Sequence, residues 1–367
     1  MVARGPGAVG CAHCKVIGAE VACEVCGHLV CPRCAADWTT CEEPSGREVR
    51  LGTTARLRDI DPVARLGLVT RWVGGMRLFD LRQLRWVQAR LPHQRAAVGG
   101  GLVDRITAGG QLLHAYDLLI SAEMNSQYSH MAAIELSGLG ERHIKSPEPS
   151  HATAVSADDH YYYVSTTQLV IAIDPQARFQ TFDPLPRKVV QAVFFDPDRR
   201  VLATGTWGQI AVHRVRDDGK LVMTSQLTTT NNLHWIAAAG PWLAACVGRH
   251  LTVWPLSDDL AIGPPHHRHT LDDDLRDACL SRDGRYLAIG QGSEVTLVAL
   301  ATGETSVLEG HTDDVCLVRF ATTDHLLITA DCDNRVILRP RGSTGYARAV
   351  QRVDVPDDEV VLAAPVP

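Results

Sequence analysis

From about residue 60 onward, apolar runs of Val, Ile, Leu, Ala and Tyr alternate with turns rich in Asp, Gly, Asn and Pro. No segment keeps the 3.6-residue period that lines one face of a helix. Short apolar runs closed by turn residues predict many short antiparallel strands. One unit recurs: an apolar strand, a polar turn, and a second strand whose last apolar residue precedes a polar one. Its clear copies are "YYYVSTTQLVIAID", "RVLATGTWGQIAVHR", "PWLAACVGRHLTVWP", "RYLAIGQGSEVTLVA" and "HLLITADCDNRVILR". The weaker copies "RLGLVTRWVGGMRLFD" and "DLLISAEMNSQYSHMAAIE" precede them. The last large residue of each second strand falls at Phe79, Ile134, Ile173, His213, Trp254, Val298 and Leu338, His213 being the one non-apolar member. Successive separations are 55, 39, 40, 41, 44 and 40 residues, so the period stays near forty and one unit holds about fifteen extra residues. Units of that period, each one four-stranded sheet, predict an all-β chain with its sheets arranged in a ring.

The final unit, "GHTDDVCLVRFATTDHLLITADCDNRVILR" from Gly310 to Arg339, resembles a WD-repeat. Gly310-His311 opens it, an apolar strand follows, Thr329 ends the second strand, and Asp331 to Asn334 make the turn. The resemblance implies a seven-bladed β-propeller and, in this blade, a hydrogen-bonded set of His, Ser or Thr, Asp and Trp that ties the strands together. His311, Thr329 and Asp331 or Asp333 match that set by position, while Leu338 stands at the Trp position and leaves it incomplete. Other units diverge, for Trp254 precedes Pro255 and the rest lack Gly-His. Ring closure calls for one sheet built from both chain ends, since two edges would otherwise stay open to water. "PDDEVVLAAPVP" resembles the start of a further unit, so residues 359–364 are expected to add a strand to the sheet holding Phe79. The alternative is closure by "REVRLG", which would add an outer strand to the last sheet. The expected organisation is a small module over 1–44, a linker or first strand over 45–60, and the propeller over 61–367.

Seven of the eleven cysteines fall between Cys11 and Cys41, which is metal arithmetic and not a disulfide framework. Cys11, Cys14, Cys23, Cys26, Cys31, Cys34 and Cys41 are separated by spacers of two, eight, two, four, two and six. A Cys-x-x-Cys turn brings two thiolates to one tetrahedral ion, so three pairs and a further cysteine call for two zinc ions. The spacing resembles the zinc-binding B-box and, more loosely, RING and FYVE modules, which interleave their ligand pairs. That resemblance implies a cross-braced module in which Cys11, Cys14, Cys31 and Cys34 hold one zinc, and Cys23, Cys26 and Cys41 supply three ligands of the other. The two histidines that end a B-box are missing. The eighth ligand is Asp37, four residues before Cys41, with His28, His13 or a water as alternatives. A thiolate-rich shell without a neighbouring Glu or His base points to structural zinc, which would fold a module that has little core of its own.

A formal charge of −6 and a pI near 6.2 create no field that gathers phosphates, so neither nucleic acid nor an anionic membrane is an expected partner. "LHWIAAAGPWLAACVG" is shorter than the ~20 residues of a spanning helix and is broken by Pro241. The start "MVARGPGAVGC" lacks the apolar region of a secretory signal, and a cytoplasmic chain is expected. Four lysines against an arginine-rich remainder suggest a GC-rich bacterial genome. His267, His269 and Asp272 form a metal-capable set if the chain is extended there, although Pro264-Pro265 reads as an exposed loop. No Gly-x-Ser-x-Gly elbow occurs, Gly99 to Gln111 lacks a Lys-Ser/Thr ending, and Asp331 to Asn334 lacks the distant Glu of a calcium loop. No catalytic residue and no small-molecule substrate is expected. The first functional reading is a non-catalytic scaffold or adaptor in a bacterial multi-protein system, binding proteins on its propeller loops and on the zinc module. Alternatives are a ubiquitin-ligase-like substrate adaptor and a regulatory partner of an ATPase or peptidase.

Overall fold

A computed structural model describes residues 21–22, 29–30, 46–51, 55–60, 66–71, 75–81, 84–88, 103–106, 111–118, 128–135, 141–145, 154–157, 162–165, 170–173, 179–182 and 190–196. It also describes 199–353 apart from 218–219, 232, 322–325, 343–344 and 349, and residues 361–362. Among the described residues every regular element is a strand. No helix there is long and apolar enough to cross a membrane.

Among the described residues the strands form seven sheets of four or more strands and one two-stranded pair, Val21–Ala22 with Leu29–Val30. The first sheet runs Ala55–Ile60, Leu66–Arg71, Gly75–Asp80, Arg85–Gln88. Five sheets of four strands follow in chain order, beginning at Val103–Ile106, Ala154–Ala157, Val190–Asp196, Leu233–Ala239 and Asp277–Leu280. The last is built on Val315–Phe320, Leu326–Asp331 and Arg335–Gly342. Opening strands of successive sheets pack against one another, and Val315–Phe320 in turn reaches Ala55–Ile60. The ring therefore returns on itself.

Each clear sequence repeat supplies the second and third strands of a sheet. "RYLAIGQGSEVTLVA" becomes Tyr286–Gln291 and Glu294–Ala299, whose middle residues are buried on both faces because each sheet packs between two others. The weak copy "DLLISAEMNSQYSHMAAIE" is placed differently. The partner of Tyr128–Glu135 is Gln111–Leu118, upstream of the expected run, because "QLLHAYDL" offers an unbroken eight-residue ladder.

The core consists of clusters wedged between neighbouring sheets. Val201, Val212 and Ile210 meet Leu233, Ala238 and Trp254, and Leu287, Ile289 and Val298 meet Ala244 and Val253. At the seam, Leu57, Val69 and Phe79 of the first sheet pack with Val49, Ile328, Val336 and Leu338 of the last. Phe79 and Trp86 add an edge-to-face ring pair at 5.2 Å.

Both chain ends take part in that seam. Gly46–Arg50 lies antiparallel beside Arg335–Gly342, with Val49 opposite Val336 and Arg47 opposite Leu338. This is the place the sequence reading gave to "REVRLG" as its alternative. Val361–Leu362, inside the stretch expected to close the Phe79 sheet, pairs in parallel with Val87–Gln88 of that sheet. A further strand, Val350–Val353, lies parallel on the outer side of Gly46–Arg50. Ala55–Ile60, within the stretch left as linker or first strand, is the opening strand of the first sheet because Leu57 and Ile60 belong to the seam core.

His213, the non-apolar member of the repeat, is buried with its Nε2 3.2 Å from the Thr204 hydroxyl. Burial pushes its imidazole from 6.5 down to about 4, so the folded chain keeps the ring neutral where an unfolded chain would protonate it. Stability is therefore full above pH 6.5 and falls as pH drops through 6.5 towards 4, by about 3 kcal/mol in all. Urea unfolding followed across this window should show that slope, and His213→Gln should flatten it.

Candidate functional site

The last sheet is where the sequence places chemistry in a set of residues, and there the structure assembles a buried polar hub. Leu326–Asp331 carries Thr329 and Asp331 inward, while the loop from Glu309 to Asp314 brings His311 over them. His311 Nδ1 donates to the Asp331 carboxylate at 3.0 Å, and Nε2 lies 2.7 Å from the Thr329 hydroxyl, which donates to it. Asp331 also accepts the backbone N–H groups of Asp333 (3.0 Å) and Arg335 (2.9 Å). Burial pushes the Asp331 carboxyl up, but the His311 bond and the Arg335 amide outweigh it and hold the group below the usual carboxylate range. Of the two aspartates the sequence left open, Asp331 is the hub residue, and Asp333 is exposed in the turn.

Leu338, at the expected Trp position, faces the seam core. The neighbouring Arg339 is wholly buried and fills the other side of the strand. Its Nη1 donates to the carbonyls of Ala347 (2.9 Å) and Arg348 (3.3 Å), and its Nη2 to that of Glu309. Nε meets no acceptor among the described residues. Burial lowers this guanidinium to about 10, which leaves it cationic at neutral pH. Arg335 Nη1 donates to Gly310 O at 2.6 Å, and its Nε stands 3.2 Å from Glu48 of the seam strand. Gly310 has a φ of 133°, where a side chain is strained, and a Cβ there would come within 3.0 Å of Ile337 and 3.2 Å of Arg339. Sequence spacing found His311, Thr329 and the two candidate aspartates; it passed over Arg339, because a polar residue in a strand reads as surface.

The hub is an internal tie, not an exposed reactive site. The surface it supports follows from topology. In each antiparallel four-stranded sheet, the turn between second and third strands shares an end with the connection to the next sheet. Contacts at that end bear this out: Thr229 N bonds Gly208 O at 2.9 Å, Val315 N bonds Gly292 O at 2.7 Å, and Cys332 N bonds Asp314 O at 2.9 Å. This end carries exposed Asp272, Asp273, Asp274, Asp313, Asp333, Glu294 and Glu309. Opposing them are Arg249 and Arg276, and Arg276 is paired with Asp314 at 3.1 Å. Trp207, in the turn beside Gly208, is 66% exposed at the same end. The opposite end is mixed, with Arg200, Arg216, Lys220, Arg282, Arg285 and Arg348 beside exposed Asp217, Asp258, Asp259, Asp283 and Glu304 in its turns and loops.

The zinc-ligand set of Cys11, Cys14, Cys23, Cys26, Cys31, Cys34, Cys41 and Asp37, with His28 and His13, lies outside the described residues. The strand pair Val21–Ala22 and Leu29–Val30 brackets Cys23 and Cys26 along the chain. His267 and His269 share a face of the strand His267–Thr270, as an extended chain requires. Among the described residues no group of three or more His, Cys, Asp or Glu is placed to hold a metal ion.

Residues 303–338 match the family model "WD domain, G-beta repeat". No curated protein matches the chain. Among solved structures, the β-propeller domain of Cps50 (Swd1) from Myceliophteria thermophila is similar with a TM-score of 0.58 and 13% sequence identity. That likeness covers 78% of this chain and 95% of that one. The hub of His311, Thr329 and Asp331 thus sits inside the stretch that matches the WD-repeat model, and the ring of sheets around it has the fold of a β-propeller.

Proposed function

We propose that the chain is a non-catalytic protein-interaction scaffold: a seven-bladed WD-repeat propeller whose acidic end docks a basic segment of a partner protein. The observation that carries this reading is that, among the described residues, exposed carboxylates and Trp207 gather with few cations at one end of the ring, whereas cations and carboxylates are mixed at the other. Charge of one sign over a rigid surface raises encounter rates with a complementary partner, and an exposed tryptophan supplies an apolar anchor. WD40 propellers generally act as scaffolds of this kind. The arginine-rich composition favours a bacterial multi-protein system as the setting. The test is affinity capture with the full chain and with a triple variant, Asp272→Lys, Asp273→Lys, Asp274→Lys. A partner held by the native chain and lost by the variant supports the reading. Equal retention by both overturns the docking end, and retention by neither overturns the scaffold.

The N-terminal segment adds a second docking module in this reading. Its donor set of seven thiols suits zinc, with Cys11, Cys14, Cys31 and Cys34 on one ion and Cys23, Cys26, Cys41 and Asp37 on the other. When bound, zinc would supply structural cross-links, worth on the order of 10 kcal/mol per site in a segment with little apolar core. Metal analysis of the purified chain should give about two zinc ions per molecule. A value near one or zero contradicts the cross-braced set.

A further inference from the structure

The outer edge of a sheet exposes unpaired N–H and C=O groups that template another strand, and natural edges are blunted by short length, by charge or by a bulge. Two outer strands of this ring follow that rule: His267–Thr270 is four residues long and carries Arg268, and Thr305–Leu308 stands between Glu304 and Glu309. Leu221–Thr228, the outer strand of the sheet that opens at Val190, does not. At eight residues it is the longest outer strand among the described residues, and no Asp, Glu, Lys or Arg occurs between Lys220 and Arg249. Its Val222 and Met223 are 44% and 52% exposed. One protective device is present, a bulge. The ladder to Gln209–Val215 slips between Val212 and His213, and the extra residue, Thr224, donates its hydroxyl to Val212 O at 3.0 Å. Pairing resumes on both sides of it, so the strand keeps its length. Register fixes which side chains share a face. Val222 sits opposite Arg214, on the same face as Leu227 and as Ser225, whose Oγ donates to Leu260 O of the next sheet at 2.7 Å. Met223 and Gln226 sit opposite His213 and Ala211 on the other face.

We infer that Leu221–Thr228 is an interface between two copies of the chain, paired antiparallel edge to edge about a two-fold axis that passes between Thr224 and Ser225. In that register Val222 meets Leu227 of the second copy on one face, and Met223 meets Gln226 of the second copy on the other, so each pair shares a face as a ladder requires. No like charges meet along the strand. The same two-fold inverts one ring relative to the other. The acidic end of each copy then lies beside Arg216 and Lys220, which precede the strand in the other copy, whereas parallel pairing would set two acidic ends side by side. A strand that is self-complementary in sequence and flanked by ends of unlike charge fits an inverted copy of itself. Two eight-residue edges bury less than the ~1,200 Å² of a stable interface, so the pair forms at micromolar concentrations or above. The pairing lies on the rim and does not depend on what the acidic end binds.

Analytical ultracentrifugation of the full chain under reducing conditions tests the pairing. The mass should rise from 39.9 kDa towards twice that value between about 1 and 200 µM. Val222→Lys and Met223→Lys each place a charge where the paired edge must be desolvated, and each should raise the dissociation constant about tenfold or more. Val307→Lys, as exposed as Val222 but on another outer strand, should leave it unchanged. Hydrogen exchange at the higher concentration should slow at 221–228 and stay the same at 267–270 and 305–308. A chain that remains monomeric throughout overturns the inference, as does a dimer that both lysine variants leave intact with 221–228 unprotected. Protection of 221–228 that appears only in an affinity-captured complex would assign the edge to a foreign strand, and would overturn it as well.

Discussion

Val49→Asp is expected to abolish cooperative folding of the ring. Val49 is fully buried, opposite Val336 of the last sheet, in the cluster that joins the first and last sheets. The substitution removes about 2 kcal/mol of apolar burial. It also places a carboxylate where no cation is paired to receive it, at a cost of several kcal/mol more. Arg335, on the adjacent strand, is already engaged by Glu48 and the Gly310 carbonyl. Against a total stability on the order of 5–15 kcal/mol, the seam would open. Thermal melts by circular dichroism should lose their sharp transition in Val49→Asp. The neighbouring exposed Arg50→Ser should stay within about 0.5 kcal/mol of the native chain. A native-like melt for Val49→Asp would mean that Gly46–Arg50 does not close the ring.

Asp331→Ala has the next largest expected effect, about 4 kcal/mol. One carboxylate accepts from His311 Nδ1, from the amides of Asp333 and Arg335, and more distantly from Thr312 N at 3.4 Å. Its removal leaves buried donors unsatisfied, each worth about 1–3 kcal/mol and not fully additive. The urea midpoint of Asp331→Ala should fall sharply, while Asp333→Ala, exposed in the same turn, should shift it little. Combining Asp331→Ala with His311→Leu should cost less than the two singles together, as expected for residues in one network. Strict additivity would break the hub into independent contacts.

What the sequence made legible follows from how each feature is written in it. Strand pairs such as Tyr286–Gln291 and Glu294–Ala299 are legible because sheets wedged between sheets bury both faces, which gives unbroken apolar runs around a polar turn. His311 and Thr329 are legible by spacing. Which aspartate joins them is not, since that depends on a turn that passes through Asn334 at a φ of 65° and directs Asp331 inward. Arg339 leaves no mark because its partners are backbone carbonyls, which have no sequence signature. The acidic end is invisible until topology brings together Asp272 and Asp313, which lie about forty residues apart along the chain. The outer parallel strands escape notice for a similar reason: Val350–Val353 is short, carries exposed Gln351 and Arg352, and gains its place only from the edge it covers.

In the proposed complex the carboxylate-bearing end of the propeller receives a basic protein segment. Zero-length carbodiimide coupling of the affinity-captured complex, mapped by mass spectrometry, tests it directly, because it joins a carboxylate only to an amine in contact. Partner lysines should be joined to Asp272, Asp273, Asp274 and Asp313. Coupling concentrated instead on Asp217, Asp258 and Asp259 at the opposite end would contradict it.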